Sequence, residues 1–358
     1  MDERLHHLVR WLESMAIAPG FQLMPVSVDA SFRRYFRLST NGESFIAMDA
    51  PPQQEDCRAF ITISKALSEA GLHVPQVLRM DLEQGFLLLT DLGDQQYLGV
   101  LNHSTVQSLY KDAMQALLLI QKTQPPANLM PNYSYELLIN EMGLFRDWFV
   151  TDYLQLALTS KHQSMLEGLF ELLAHQALDQ PQVWVHRDYH SRNLMWINGQ
   201  ETSNGSSRQI LLNPGILDFQ DAVVGPVSYD LASLLRDCYI SWPQQQVRTW
   251  VEQYRSELIG AGILSAAVSE DEFQRWFDWM GIQRHLKAIG IFSRLHIRDG
   301  KSRYLQDIPR TLLYIVQVCR DYEELRQLSD WLQALVIPVV SELLSVNDGF
   351  FTGDNKRA

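Results

Sequence analysis

The chain has 358 residues, 46% of them hydrophobic and 20% charged, and its 30 basic against 42 acidic side chains give a formal net charge of −12. That length exceeds what one growing core accommodates, so two lobes are expected, and lobes of this kind bind small ligands in clefts. The acidic balance excludes a general polyanion-binding surface and so argues against a nucleic-acid partner, while Cys57, Cys238 and Cys319 stand alone in the sequence and read as buried thiols rather than a disulfide or zinc framework.

Near the N-terminus Leu5, Leu8 and Leu12 recur at helical spacing, but Arg4, Arg10 and Glu13 interrupt any signal-peptide core. No run approaches a membrane span, so a soluble, cytoplasmic protein without a membrane partner is the expectation. Short β-prone runs at 21–28 and 35–39 follow, and Asn41-Gly42 leads into a third at 45–48; Asn-Gly between two such runs signals a hairpin, because both residues tolerate positive φ. Phe60, Ile63 and Leu67 predict a helix over 55–70, stopped by Gly71. Strands at 77–81 and 86–89, separated by Glu83-Gln84-Gly85, complete a five-stranded antiparallel sheet with one helix.

After Leu92 the pattern turns helical. Ser104-x-x-Gln107 reads as a capping box for a helix ending before Pro125-Pro126. Helices are predicted at 135–159 and 162–178, then a strand at 183–185. Beyond Gly225-Pro226, helices follow at 229–240, 244–259, 270–290, 307–325 and 327–344, and disorder is expected only at 354–358. The fold class is therefore α+β: a small antiparallel β-sheet lobe, residues 1–92, and a large, mainly helical lobe, residues 93–358.

The densest chemistry lies at 186–221. His186-Arg187-Asp188-Tyr189-His190-Ser191-Arg192-Asn193 follows the 183–185 strand, and Ile216-Leu217-Asp218-Phe219-Gln220-Asp221 follows a second apolar run. Segments 193–197 and 209–212 read as a hairpin with a solvated tip at 199–208, which would bring Asn193 near Asp218. Phosphoryl transfer needs a carboxylate to orient the attacking hydroxyl and oxygen ligands for Mg²⁺. Asp188 suits the first task, and Asn193 with Asp218 the second. Alone, Asp188 would read as a turn former; the three together form a pattern that chance seldom produces. His186 reads as structural support, His190 as ambiguous, and Arg187 and Arg192 as counter-charges.

His186-Arg187-Asp188-x-His190-x-x-Asn193, Leu217-Asp218-Phe219 and Tyr229-Asp230-Leu231-Ala232 resemble the catalytic loop, metal loop and following helix of the aminoglycoside phosphotransferase and choline kinase superfamily, relatives of protein kinases. The resemblance implies a bilobal kinase-like fold and ATP in a cleft, with adenine against the backbone at Thr90, Asp91 and Leu92. It also implies Asp188 as base, Asn193 and Asp218 on Mg²⁺, and Asp230 bracing the catalytic loop. Longer strings, among them Gly225 to Asp230 and Gln283 to Gly290, are similar to the anomeric kinases of N-acetylmuramate and N-acetylglucosamine of peptidoglycan recycling. That branch implies a small-molecule sugar substrate.

One departure stands out. The third-strand lysine of kinase-like folds falls at Met48, and the preceding loop at 29–34 is not glycine-rich. Arg33 or Arg34 is expected to supply the missing cation, since guanidinium forks suit phosphate oxygens. Gln220, Asp221, Arg236 and Asp237 are candidates for the sugar, Arg236 for a lactyl carboxylate; Arg284, His285 and Arg294 are further ones, while Tyr239 and Trp242 read as core before sugar-stacking residues. Three alternatives are open: an aminoglycoside or choline kinase, a metal-dependent hydrolase built on His186-x-Asp188-x-His190, and a catalytically silent pseudokinase suggested by the absent lysine.

Overall fold

In a computed structural model the chain is described except for residues 1, 16–19, 29–31, 41, 127–128, 198–210, 347–350 and 352–358. The first hairpin residue Asn41, part of the loop at 29–34, the 199–208 tip and the tail at 354–358 thus lie outside the described residues. Two compact units form: Met1–Leu129 with Arg192–Asp221, and Met130–Ser191 with Ala222–Ala358. The boundary expected at residue 92 marks a change from strand to helix, whereas compactness follows packing across the sequence.

The first unit opens with α1 (Glu3–Ser14), capped by the Asp2 carboxylate, which accepts from the Leu5 N–H at 3.1 Å. Strands β1 (Gln22–Val28), β2 (Arg34–Thr40) and β3 (Glu43–Asp49) precede α2 (Cys57–Glu69), the short β4 (Leu72–His73), β5 (Val77–Asp81) and β6 (Phe86–Thr90). The five-stranded sheet has the order β1-β2-β3-β6-β5 with every pair antiparallel, so the expected sheet forms. Residues opposite one another on paired strands share a face. Arg34, Phe36 and Leu38 therefore look the same way as Asp49, Ala47 and Phe45. On that face Leu8 and Leu12 of α1 join Phe36, Leu38, Ala47, Phe86 and Leu88 in one buried cluster. Tyr35, Arg37, Ile46 and Met48 occupy the opposite face.

Helices α3 (Tyr97–Val100) and α4 (Val106–Lys122) follow. The capping box at Ser104 does not form. Asn102 Oδ1 accepts from both the N–H and the hydroxyl of Ser104, at 2.9 and 2.6 Å, so an Asx turn consumes the residue and the helix starts after Thr105. Past the first unit's break, β8 (Leu194–Met195) pairs antiparallel with β9 (Leu211–Ile216), and β9 pairs parallel with β4. This last pairing ties the β8–β9 hairpin to the first unit.

In the second unit α5 (Tyr135–Leu144) widens into π-helical turns over Phe145–Tyr153, so the single helix expected at 135–159 is instead two kinds of turn. Next come α6 (Ser160–Leu178), β7 (Gln182–Val185), its antiparallel partner β10 (Val223–Pro226), α7 (Tyr229–Leu235) and α8 (Gln244–Gly260). Helix α9 (Glu270–Asp299) runs well beyond the expected stop at 290 and ends only at Gly300, whose φ of 67° makes a left-handed cap. Gly290 is not a terminator but a contact: a Cβ there would lie 2.4 Å from the Leu144 carbonyl carbon and 2.6 Å from the Phe145 nitrogen. Close approach of α9 to the end of α5 requires its missing side chain. α10 (Ile308–Cys319) and α11 (Arg326–Trp331) follow; π turns at Leu332–Val336 then lead to α12 (Ile337–Leu343), where Pro338 removes one N–H from the helical ladder.

Candidate active site

In the first unit a pocket is lined by Tyr35, Arg37, Ile46 and Leu89 of the sheet, by Thr90, Asp91 and Leu92 after β6, and by Asn193, Met195, Leu217 and Asp218 of the hairpin. The Leu217 N–H donates to the Asn193 carbonyl at 2.9 Å, so the hairpin ladder itself brings the amide and the carboxylate to one pocket. Asp218 adopts a φ of 63°, a left-handed conformation that costs a non-glycine residue roughly 1–2 kcal/mol. Gln220, almost fully buried, donates from Nε2 to Asp218 Oδ1 at 2.7 Å and helps to fix that carboxylate. Asp221 is exposed.

Thr90, which ends β6, and Asp91, which follows it, are pinned as well. Arg37 grips Asp91 through Nε and Nη2, at 2.6 and 3.0 Å, and donates from Nη2 to the Gly93 carbonyl at 2.8 Å. Thr90 donates its N–H to the Gln76 carbonyl at 3.0 Å. Arg33 forms an ion pair with Glu55 at 2.8 Å. Burial opposes its charge, but Tyr35, Glu55, Asp221 and Asp218 more than compensate and raise its pKa. Arg34 is engaged elsewhere. It lies on the α1 face and pairs with Asp2 and the buried Asp49, to which Arg4 also donates at 2.9 Å. Of the two arginines expected to replace the third-strand lysine, only Arg33 belongs with the pocket's acids, because the two-residue alternation of the strand turns Arg34 to the other face. Met48 stands on the pocket's face of β3, fully buried.

In the second unit the 186–191 loop leaves β7 and is held by carboxylates. Buried Asp230, at the start of α7, accepts the His186 N–H at 2.6 Å and the Arg187 N–H at 3.0 Å. Asp237 accepts the Ser191 N–H at 2.9 Å and the Tyr239 N–H at 3.0 Å, so it braces the loop and the segment after α7. Arg187 has a φ of 76°, and its guanidinium reaches Glu141 on α5 at 2.5 Å. Strained backbone persists where surrounding contacts over-determine it, and here three carboxylates do so. Glu141 also takes Lys287 at 3.0 Å, the Tyr133 hydroxyl, and Gln283 Nε2 at 3.2 Å.

These charges set the state of Asp188. Burial alone would raise its pKa, but Lys287, His190, Arg284 and His186 outweigh it and hold the carboxyl below its usual range, so it is ionised at neutral pH. Asp230 behaves in the opposite way: burial pushes it up to about 7, against the pull of the His186 and Arg187 N–H groups and of Arg284. The His186 ring faces its own loop, with the Asp188 N–H 3.3 Å from Nδ1, and among the described residues no three His, Cys, Asp or Glu side chains converge as a metal cage. Arg236 forms a buried ion pair with Asp278, and His285, neutral at a pKa of about 3 through burial, meets the Arg236 carbonyl at 2.9 Å. Sequence reasoning missed Glu141, Glu55 and Arg37, which carry no local motif; Lys287 lay inside the Gln283–Gly290 string without being singled out.

The phosphotransferase enzyme family matches residues 22–266, which is more than half of the chain. The protein belongs to that family. A Pseudomonas putida protein named N-acetylmuramate/N-acetylglucosamine kinase is 45% identical over 338 residues, 94% of each chain, and a Neisseria meningitidis protein of the same name is 39% identical over 93% of this chain and 96% of its own. Among solved structures, ADP-bound aminoglycoside phosphotransferase APH(2'')-Ib aligns with a TM-score of 0.56 at 14% identity, covering 86% of this chain and 97% of its own. Choline kinase LicA from Streptococcus pneumoniae aligns at 0.58 and 12% identity, covering 88% and 100%. These two show the fold, α+β and kinase-like. No helix among the described residues is long and apolar enough to cross a membrane.

Proposed function

We propose that this chain is a cytoplasmic, ATP-dependent kinase of N-acetylmuramate and N-acetylglucosamine that phosphorylates the anomeric hydroxyl. The observation that carries the reading is likeness to the sugar kinases over nearly the whole chain, at 45% identity for the Pseudomonas putida relative. The division of labour assigns nucleotide to residues 1–92, with Thr90, Asp91 and Leu92 along the adenine and Arg33 toward phosphate oxygens, and the catalytic and metal loops and sugar to 93–358. Asp188, kept ionised, orients the anomeric hydroxyl and accepts its proton as the oxygen bonds to the γ-phosphorus and the bond to ADP breaks. Asp230 and His186 hold the loop that carries it.

Asn193 and Asp218 present one amide and one carboxylate oxygen to a single pocket, a hard-oxygen set that fits Mg²⁺. Bound there, Mg²⁺ supplies neutralisation of the phosphate charge. Gln220 then serves Asp218 rather than the sugar, and Asp221 contributes to the field on Arg33.

The test is ADP release with each sugar, followed by location of the new phosphate by ³¹P NMR. Asp188→Asn should lower kcat by about 10²- to 10⁴-fold while leaving the Kd for ATP unchanged. Undiminished turnover in that variant would refute the assigned base, and silence of the unmodified protein with both sugars would refute the substrate.

A further inference from the structure

Among the described residues of the second unit, Arg236 and Arg284 are the two arginines less than a tenth exposed, and only the first has a carboxylate partner. Arg236 has Asp278, and Arg187 and Lys287 share Glu141. Arg284, one turn before Lys287 on α9 and only 8% exposed, makes no hydrogen bond or ion pair among the described residues, and its Nε is enclosed without an acceptor. Its guanidinium lies over the Tyr229 ring, 5.2 Å from the centroid. A guanidinium enclosed without an acceptor is unfavourable, and an arriving anion offsets that cost. Arg284 acts on Asp188 and Asp230 through its charge alone, so it stands beside the acceptor's base while its own donors are unused.

Resting on the sugar-kinase reading, we propose that Arg284 receives the carboxylate of the lactyl ether by which N-acetylmuramate differs from N-acetylglucosamine. A guanidinium fork matches a carboxylate with two parallel hydrogen bonds. The carboxylate is preferred to the transferred phosphate because Arg284 shares its unit with the base that meets the acceptor, whereas Asn193, Asp218 and Arg33 belong to the other. Arg236, the sequence's candidate for this carboxylate, is already committed to Asp278.

The experiment is to measure kcat/KM for both sugars in the unmodified protein and in Arg284→Met and Arg284→Lys. Arg284→Met should shift the ratio of the two values roughly 10- to 100-fold toward N-acetylglucosamine, the range of a lost charge-assisted hydrogen bond, and Arg284→Lys should recover part of the shift. Equal losses for both sugars would overturn the proposal and assign Arg284 to the phosphoryl group or to folding. Failure of the underlying reading is distinct: the unmodified protein would then turn over neither sugar.

Discussion

In the first unit charged groups pair two by two, Arg37 with Asp91 and Arg33 with Glu55, whereas in the second unit the charges share partners, with Glu141 alone serving Arg187, Lys287, Tyr133 and Gln283. The Arg37–Asp91 pair fixes backbone beside the pocket that both residues line. The shared network holds Arg187, whose backbone is strained. Removing one member of a pair is therefore a local change, while removing the hub of the network strands several buried groups at once.

The comparison breaks first at Glu141. Glu141→Ala leaves Arg187 and Lys287 enclosed without their carboxylate, and a loss of about 3–5 kcal/mol is expected, read by urea unfolding. A loss under about 1 kcal/mol would mean that the cluster is not a network. Next in size, Arg33→Ala should raise the KM for ATP roughly 10-fold, as expected for one charge-assisted bond, and leave the KM for sugar alone. Arg34→Ala should leave both KM values alone and cost roughly 1 kcal/mol of stability through Asp49. If Arg34 moved the ATP constant as much as Arg33, the face assignment would be wrong.

The smallest effect is in pH. The unfolded His285 imidazole takes up a proton below about 6.5, while the folded one does not until about 3. Its contribution is therefore whole above pH 6.5 and is lost as pH falls through that window. Asp230 works oppositely: folded at about 7 against 3.8 unfolded, it favours the fold as pH falls over that range. His285→Gln should remove only the first component, so the change in stability as pH falls from 6.5 to 5 should become more favourable by up to about 1.4 kcal/mol per pH unit. An unchanged pH dependence would show that the buried imidazole does not contribute to it.

Much of the site was legible because its chemistry is written in short strings. Asp188, Asn193, Asp218 and Asp230 each follow or open an element whose pattern is plain, and the five strands alternate clearly enough to be found. What failed did so through competition or distance. Ser104 looked like a cap until Asn102 took its hydroxyl, and the end of α5, where the π turns begin, packs against Gly290, a contact far along the chain that no local pattern announces.

From the order of residues alone came the strands, the catalytic and metal loops and the chemistry of the groups they carry, since backbone preference and side-chain alternation act over a few neighbours. Tertiary packing decided which charges are spent and which are spare. Arg34 and Arg33 are adjacent yet pair with different carboxylates, and Arg284 and His285 are adjacent yet the imidazole meets the Arg236 carbonyl while the guanidinium meets no acceptor among the described residues. That the buried Arg284 finds no carboxylate among the described residues emerges only when the acids of its unit have been brought into place.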